Sequence, residues 1–125
     1  MAKKPFINYD RLKGKYATRI WNYHTAWENV TAFETFEQNF GLPMVSGQPG
    51  CLGVELIRRK PEGVQAPGQA EYCMISHWQN YDYLQEALAS KTWKEEIELF
   101  LAQGFGEGNG VTVVYDLVAS ANPPS

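Results

Sequence analysis

The sequence predicts an α+β domain with a ferredoxin-like βαββαβ order, in which an antiparallel sheet carries helices on one face. Two observations predict this fold class. Strand-like and helix-like segments follow one another in that order, and a strand-like run over residues 71–78 passes within a few residues into a capped helix. The 125 residues fit one domain over residues 16–119, with an N-terminal arm over residues 1–15 and a flexible tail over residues 120–125.

Four segments have the composition of strands. Residues 16–26 and 111–118 are rich in β-branched and aromatic side chains, which suit a pleated surface. Residues 51–60 alternate in hydrophobicity after a turn at Pro49-Gly50, and a polar connection then leads to residues 70–78. The second and third strands are therefore expected to form a hairpin with a long loop.

Two segments have the period of amphipathic helices. Thr31 and Glu34 have the spacing of a capping box, and Gly41 with Pro43 gives a stop signal, so the first helix is expected over residues 31–40. Its apolar stripe consists of Phe33, Phe36 and Phe40.

The second helical region extends to Gly104 and is expected to divide in two. Asn80 or Asp82 begins its first part, and Ser90 or Thr92 begins the helix again after a break.

Composition excludes several classes of function. The net charge of −3 and the pI near 5.3 come from dispersed charges, so a nucleic-acid partner is not expected. There is no long apolar run or signal-like segment, which predicts a cytoplasmic protein without membrane association. Cys51 and Cys73 are expected to be free thiols, and no residue spacing indicates a metal site.

The face of the sheet away from the helices is also expected to be apolar. Ile57, Ile75 and either Val111 or Val114 fall on it, and an open apolar face of several hundred square ångströms is unusual in a monomer. We therefore expect a homodimer formed face to face through the sheets.

Several short motifs occur in a recognisable order: phenylalanines in the first helix, a Pro-Gly turn before the second strand, a third strand ending in Trp, and a helix broken at Ser. The motifs are Phe33 and Phe36, Pro49-Gly50-Cys51-Leu52-Gly53, Ser76-His77-Trp78, Tyr83-Leu84 and Ser90-Lys91-Thr92-Trp93. Over about residues 17–118 the chain resembles the antibiotic biosynthesis monooxygenase family, whose members are small dimeric α+β barrels.

The resemblance implies a pocket between sheet and helices that admits a flat aromatic substrate and molecular oxygen. Some members oxidise phenols or hydroquinones without metal or flavin, so no cofactor is expected. Other members bind and degrade haem, but the family's functional Trp and axial His fall near Ala87 and Ile97 here. Haem degradation by that route is therefore not expected.

Asn22 and His24 are the candidate catalytic residues. They lie two apart on the first strand and so point to one face. An imidazole matched to neutral pH suits a general base for a phenolic proton, and the Asn22 amide suits an oxyanion. A shift of one residue in strand register would instead place Trp21 and Tyr23 in the pocket.

The candidate substrate-binding residues are aromatic side chains that would confine a flat ring. They are Trp78, Trp93, Tyr83 and Phe36. His77 alternates with Trp78, so it is expected to face the dimer partner rather than the pocket.

Two functions remain open on the sequence alone. The first is a cofactor-independent monooxygenase that acts on a small aromatic or quinol-type substrate, with His24 assisting deprotonation and Asn22 holding the oxyanion. The alternative is a non-catalytic ligand-binding or interaction domain on the same dimeric barrel, which the absence of a dominant nucleophile or paired carboxylates favours.

Overall fold

A computed structural model of the chain describes residues 16–62, 68–106 and 111–121. Its strands are β1 (Ala17–Thr25), β2 (Cys51–Arg58), β3 (Ala70–Trp78) and β4 (Val111–Asp116). They form one antiparallel sheet in the order β2-β3-β1-β4, which confirms the predicted ferredoxin-like arrangement. The expected arm over residues 1–15 and the end of the expected tail lie outside the described residues.

The helical segments pack on one face of this sheet. They are a 3₁₀ turn (Trp27–Asn29), α1 (Val30–Phe36), a π-helical turn (Glu37–Gly41), α2 (Leu42–Ser46), α3 (Tyr81–Leu88) and α4 (Lys91–Leu101).

The first helix runs further than predicted. Gly41 and Pro43 do not stop it, because Gly41 has helical torsion angles and Pro43 lies in the first turn of α2, where a missing backbone N–H costs little. The chain stays helical through the π-helical turn to Ser46. The predicted end at residue 40 is therefore wrong.

The predicted capping box at the start of this helix is also wrong. Thr31 lies inside α1, and the residue at the cap position, Asn29, makes no capping hydrogen bond with its side chain. Glu34 instead accepts hydrogen bonds from Arg58 at 2.6 Å and from the Tyr72 hydroxyl at 2.7 Å. The Glu34 carboxylate therefore bonds to side chains from the sheet, and not to the backbone N–H at the start of the helix that the capping box predicts.

The starts of the later helices match one of the two alternatives in each case. Asn80 Oδ1 accepts a hydrogen bond from the Tyr83 backbone N–H at 2.9 Å and caps α3. Ser90 Oγ accepts one from the Trp93 backbone N–H at 3.2 Å and caps α4.

Strand alternation divides the sheet into an inner face under the helices and an outer face away from them. Along β3 the inner residues Tyr72, Met74, Ser76 and Trp78 are buried, whereas the outer residues between them are only partly buried. His77 lies on the outer face, as the alternation predicts, where its Nδ1 is 3.2 Å from Thr18 Oγ1 and its Nε2 is 3.6 Å from Glu55.

The core has two neighbouring clusters on the inner face. One surrounds Trp78, which has no exposed surface, and includes Leu84 and Trp93. The other is aromatic and surrounds Phe33, whose ring lies 5.1 Å from that of Tyr23 and 4.5 Å from that of Tyr72. The cavity described below lies alongside both clusters.

Gly50 provides a test of the turn before β2. Its φ is +81°, and a Cβ added there would overlap the Tyr83 ring, so Gly50→Ala introduces both backbone strain and a clash. We expect Gly50→Ala to lower the free energy of unfolding by about 1–3 kcal/mol in urea titrations. Gly68→Ala is the matched control, because a Cβ there meets nothing within 4 Å. Equal stabilities of the two variants would contradict this description of the turn.

Candidate functional site

A cavity of about 220 Å³ lies between the inner face of the sheet and the helices. Its volume is below the roughly 300–1,000 Å³ of pockets for drug-sized ligands, so it suits a molecule of one or two rings. Side chains from β1, β3, the π-helical turn, α2 and α4 line it. The lining residues that matter for chemistry are Arg19, Trp21, Glu37, Trp93, Glu96 and Ile97.

Glu37 is the first residue of the π-helical turn and is only 2% exposed. Within the part of the chain that the structure describes, its Oε2 atom has no hydrogen-bond partner. A Cβ added to Gly41 would overlap this oxygen, so the absence of a side chain at Gly41 makes room for the carboxyl group. Buried polar atoms normally have partners, and an exception beside a cavity points to a role for the cavity.

Burial and, to a smaller extent, the nearby carboxyl of Glu96 together raise the pKa of Glu37 to about 8. The pKa of Glu96 is itself raised by burial. Glu37 is therefore mainly protonated at neutral pH, and a modest change of surroundings is enough to make it gain or lose its proton. Carboxyl groups perturbed in this way occur often at catalytic sites.

Arg19 brings a positive charge to the same cavity. Its Cζ lies 5.1 Å from the centre of the Trp93 ring, and its Nη2 donates a long hydrogen bond of 3.5 Å to Thr112. Its Nε is buried without a partner among residues 16–62, 68–106 and 111–121. Burial lowers the pKa of Arg19, but a guanidinium remains charged in proteins.

Arg19 and Glu37 do not neutralise each other. The ion pairs of the described residues, with N–O distances up to 4.0 Å, include none between these two side chains. The cavity thus contains a charged donor and a carboxyl group that each retain unused hydrogen-bonding capacity.

Aromatic side chains form the wall beside these polar groups. Trp21 lines the cavity and stacks on Tyr23, with ring centres 4.8 Å apart and planes at 23°. Phe100 meets Trp21 edge to face at 5.9 Å. These contacts fix the orientation of the Trp21 ring and leave it a rigid flat surface.

Of the four predicted substrate-binding residues, Trp93 lines the cavity. Trp78 is enclosed in the core and donates its Nε1–H to Ser76 Oγ at 2.9 Å. Phe36 packs against Phe100 in the aromatic cluster, and Tyr83 packs over Gly50. Trp78, Phe36 and Tyr83 are not among the residues that line this cavity, because packing occupies their surfaces.

Asn22 and His24 lie on the outer face. The pairing of β1 with β3 selects the alternative register, with Trp21 lining the cavity and Tyr23 buried behind it. Asn22 accepts a hydrogen bond from Cys73 Sγ at 3.1 Å and donates one to the carbonyl of Val111 at 3.4 Å.

His24 shares an outer depression of about 270 Å³ with Asn22, and its Nδ1 is hydrogen-bonded to Gln69. This depression also includes Arg58, Arg59 and Cys73. The structure therefore separates the two predicted catalytic residues from Trp93. Their catalytic roles stay predictions that apply to the outer depression.

Sequence reasoning missed Arg19 and Glu37, although a signal for each is present. Glu37 lies four residues after Phe33 and three before Phe40, so it falls within the apolar stripe of the first helix. Arg19 lies between Ala17 and Trp21 in the row of β1 side chains that share the inner face. A charged residue inside an apolar pattern is the feature that distinguishes both positions.

Among the described residues, no group of three or more His, Cys, Asp or Glu side chains is arranged to hold a metal ion. None of the described helices is long and apolar enough to span a bilayer.

Known proteins with similar structures share this fold. SnoaB from Streptomyces nogalater, a cofactor-independent oxygenase, superimposes with a TM-score of 0.64 at 17% identity, covering 89% of this chain and 99% of SnoaB. A candidate antibiotic biosynthesis monooxygenase from Caulobacter crescentus gives a TM-score of 0.67 at 16% identity, covering 89% of this chain and 97% of its own. A similar candidate from Deinococcus radiodurans gives 0.65 at 14% identity, with 87% and 99% covered.

These similarities confirm the predicted resemblance at the level of the fold. No family model matches the sequence. No curated protein matches it either.

Glu37 makes stability depend on pH in a defined direction. The folded chain keeps the proton up to about pH 8, whereas an ordinary glutamate loses it near 4.5. Between these values the unfolded chain binds fewer protons, so the free energy of unfolding falls as pH rises.

Glu37→Gln removes this contribution and serves as the comparison. We expect its stability relative to the wild type to rise by on the order of a few kcal/mol between about pH 5 and about pH 8, as measured by urea unfolding at each pH. Parallel stability curves for the two proteins would show that Glu37 ionises normally.

Proposed function

We propose that the protein is a cofactor-independent oxygenase that binds a small aromatic or quinol-type molecule in the cavity between sheet and helices. The observation that supports this most directly is the cavity itself, which the rigid ring of Trp21 and the Trp93 indole line together with Glu37, whose buried Oε2 has no hydrogen-bond partner in the described parts of the chain. The fold shared with SnoaB, described as a cofactor-independent oxygenase, agrees with this proposal.

The chemistry needs only the substrate and oxygen. A hydroquinone that loses two protons and two electrons becomes a quinone, and the oxygen molecule that accepts them becomes hydrogen peroxide; this is an oxidase reaction, which consumes oxygen without inserting an oxygen atom. Where the reacting group is an activated ring CH₂, one oxygen atom forms the new carbonyl group and the other leaves as water. In both cases loss of a proton comes first, because an anion is a far better electron donor than the neutral molecule. The protein's task is to confine the ring and promote that ionisation.

The site of reaction can be tested by filling the cavity from its rim. Ile97 lines the cavity and is 44% exposed, so Ile97→Trp narrows the space with little cost to folding. We expect oxygen uptake with a hydroquinone panel to fall at least about tenfold, a loss of more than 1 kcal/mol in transition-state binding. Leu99→Trp is the control, because Leu99 is 42% exposed on the same helix and does not line the cavity.

His24→Ala compares the two candidate locations in the same assay. Retained uptake assigns the reaction to the cavity, and lost uptake assigns it to the outer depression, where His24 would act as base and Asn22 would hold the oxyanion. Wild-type uptake equal to that of buffer across the whole panel would contradict the proposed oxygenase activity.

A second candidate function is a non-catalytic ligand-binding domain. The complete enclosure of Trp78 favours it, because that side chain contributes to packing and not to a substrate wall. Such a domain would bind aromatic molecules without consuming oxygen, so parallel binding and uptake measurements separate the two functions.

We also propose that the protein is a homodimer formed through the outer faces of two sheets. On this face β-branched side chains follow one another across the sheet, since Ile75 pairs with Ile20 and Ile20 pairs with Val113. Nearby Ile57 and Val111 are 50% and 61% exposed. Covering this apolar surface stabilises a dimer by the hydrophobic effect.

Ile75→Lys tests the dimer, because it places a charge at the centre of the outer face. We expect light scattering after gel filtration to give twice the 14.2 kDa chain mass for the wild type and the single-chain mass for the variant. Leu99→Lys, on the helical side, should leave the dimer intact. A wild-type protein that is monomeric at micromolar concentration would overturn this proposal.

A further inference from the structure

We propose that Glu37 is the proton acceptor of the cavity and that Arg19 binds the anion that forms, so the ligand is a flat molecule of one or two rings with an acidic hydroxyl group. This inference rests on the proposed function and deepens it. It differs from the sequence-based expectation, which gave these roles to His24 and Asn22.

The geometry supports a ligand between these two groups. Glu37 and Arg19 both line the cavity, and among the described residues Glu37 Oε2 and Arg19 Nε are buried without a hydrogen-bond partner. Leaving either atom unpaired is costly, so each residue favours a ligand in this cavity that brings it a hydrogen-bond partner. The Trp93 ring beneath the guanidinium holds the positive charge at the cavity wall.

The local structure keeps the carboxyl group in place. The π-helical turn begins at Glu37 and ends at Gly41, and such turns are frequent at functional sites. Gly41 has a helical φ of −67°, so no unusual torsion angle requires a glycine there. The carboxyl group does require it, because any side chain at position 41 would displace Oε2. Gly41 is thus a positioning residue for Glu37.

The proposed step is a proton transfer without change of oxidation state. The O–H bond of the ligand breaks, a new O–H bond forms on the ionised form of Glu37, which becomes the main form only above about pH 8, and the ligand oxygen keeps the electron pair and its negative charge. Arg19 lines the same cavity and supplies the positive charge that would bind this anion. The ionisable groups that act on Glu37 are Glu96 from α4 and Tyr23 from β1, and Arg19 adds the positive charge of the site.

The test uses para-nitrophenol under nitrogen, because this phenol ionises readily and its anion has a distinct visible absorption band. Binding is measured by quenching of tryptophan fluorescence, so no turnover is needed. When the added phenol is already ionised, wild-type binding should take up one proton at Glu37. Its Kd should therefore rise about tenfold per pH unit above about pH 8.

Substitutions identify the side chain that takes up this proton. Glu37→Gln should bind the phenolate with a Kd that does not change with pH in this range, and Arg19→Met should weaken binding at least tenfold at every pH. Gly41→Ala should reduce the pH dependence by displacing the carboxyl group, and it keeps the test decisive if Glu37→Gln does not fold. Glu98→Gln, an exposed carboxylate on α4, is the control and should match the wild type.

Three results would overturn the inference. They are an unchanged pH slope in Glu37→Gln, a slope lost in Glu96→Gln but kept in Glu37→Gln, and no binding of the phenol by the wild type. Oxygen uptake is a separate readout. A protein that binds the phenolate with one linked proton but consumes no oxygen supports the Glu37 assignment and contradicts only the oxygenase proposal.

Discussion

The antiparallel pairing of β1 with β3 at the centre of the sheet is the constraint on which the rest of the structure depends. It sets Trp21 opposite Met74 and Arg19 opposite Ser76. Because successive side chains point to opposite faces, this one register decides which half of each strand meets the helices. A shift by one residue would place Asn22 and His24, instead of Trp21 and Tyr23, on the face that meets the cavity.

The helices cover the inner face of the sheet but leave a cavity against it. The aromatic cluster around Phe33 fills one part of the space, and Trp78 with its neighbours fills another. Between them the π-helical turn contributes a carboxyl group where an apolar side chain would pack. The cavity therefore combines a rigid hydrophobic surface with two polar groups that each have an atom without a hydrogen-bond partner among the residues that the structure describes.

Strand order and strand positions could be predicted because β-branched and aromatic composition, turn residues and alternation agree over residues 70–78 and 111–116. The caps at Asn80 and Ser90 were among the predicted alternatives because a capping hydrogen bond joins residues only three positions apart in the sequence. The first helix could not be predicted in full. Gly41 and Pro43 are stop signals in most contexts, and only tertiary packing makes the chain continue as a π-helical turn.

The candidate site is less predictable than the fold, because residue type alone does not show which side chains meet in a cavity. The histidine and the asparagine on β1 have side chains suited to catalysis, whereas Glu37 belongs to a common surface residue type. Its sequence signal is a position within the apolar stripe of the first helix, and that position alone does not show that the carboxyl group stays buried there. Trp93 was found because its position after a helix break has a sequence signal.

Gly41 also has a consequence for how the sequence would change during evolution. Glycine in a helix with ordinary torsion angles costs roughly 1 kcal/mol relative to alanine, and nothing in the backbone here repays that cost. A lineage that kept only the stability of this fold would be free to replace Gly41, and it would lose the buried acid as a side effect. The persistence of glycine at this position in related chains would therefore record selection for the acid itself, separately from selection for the fold.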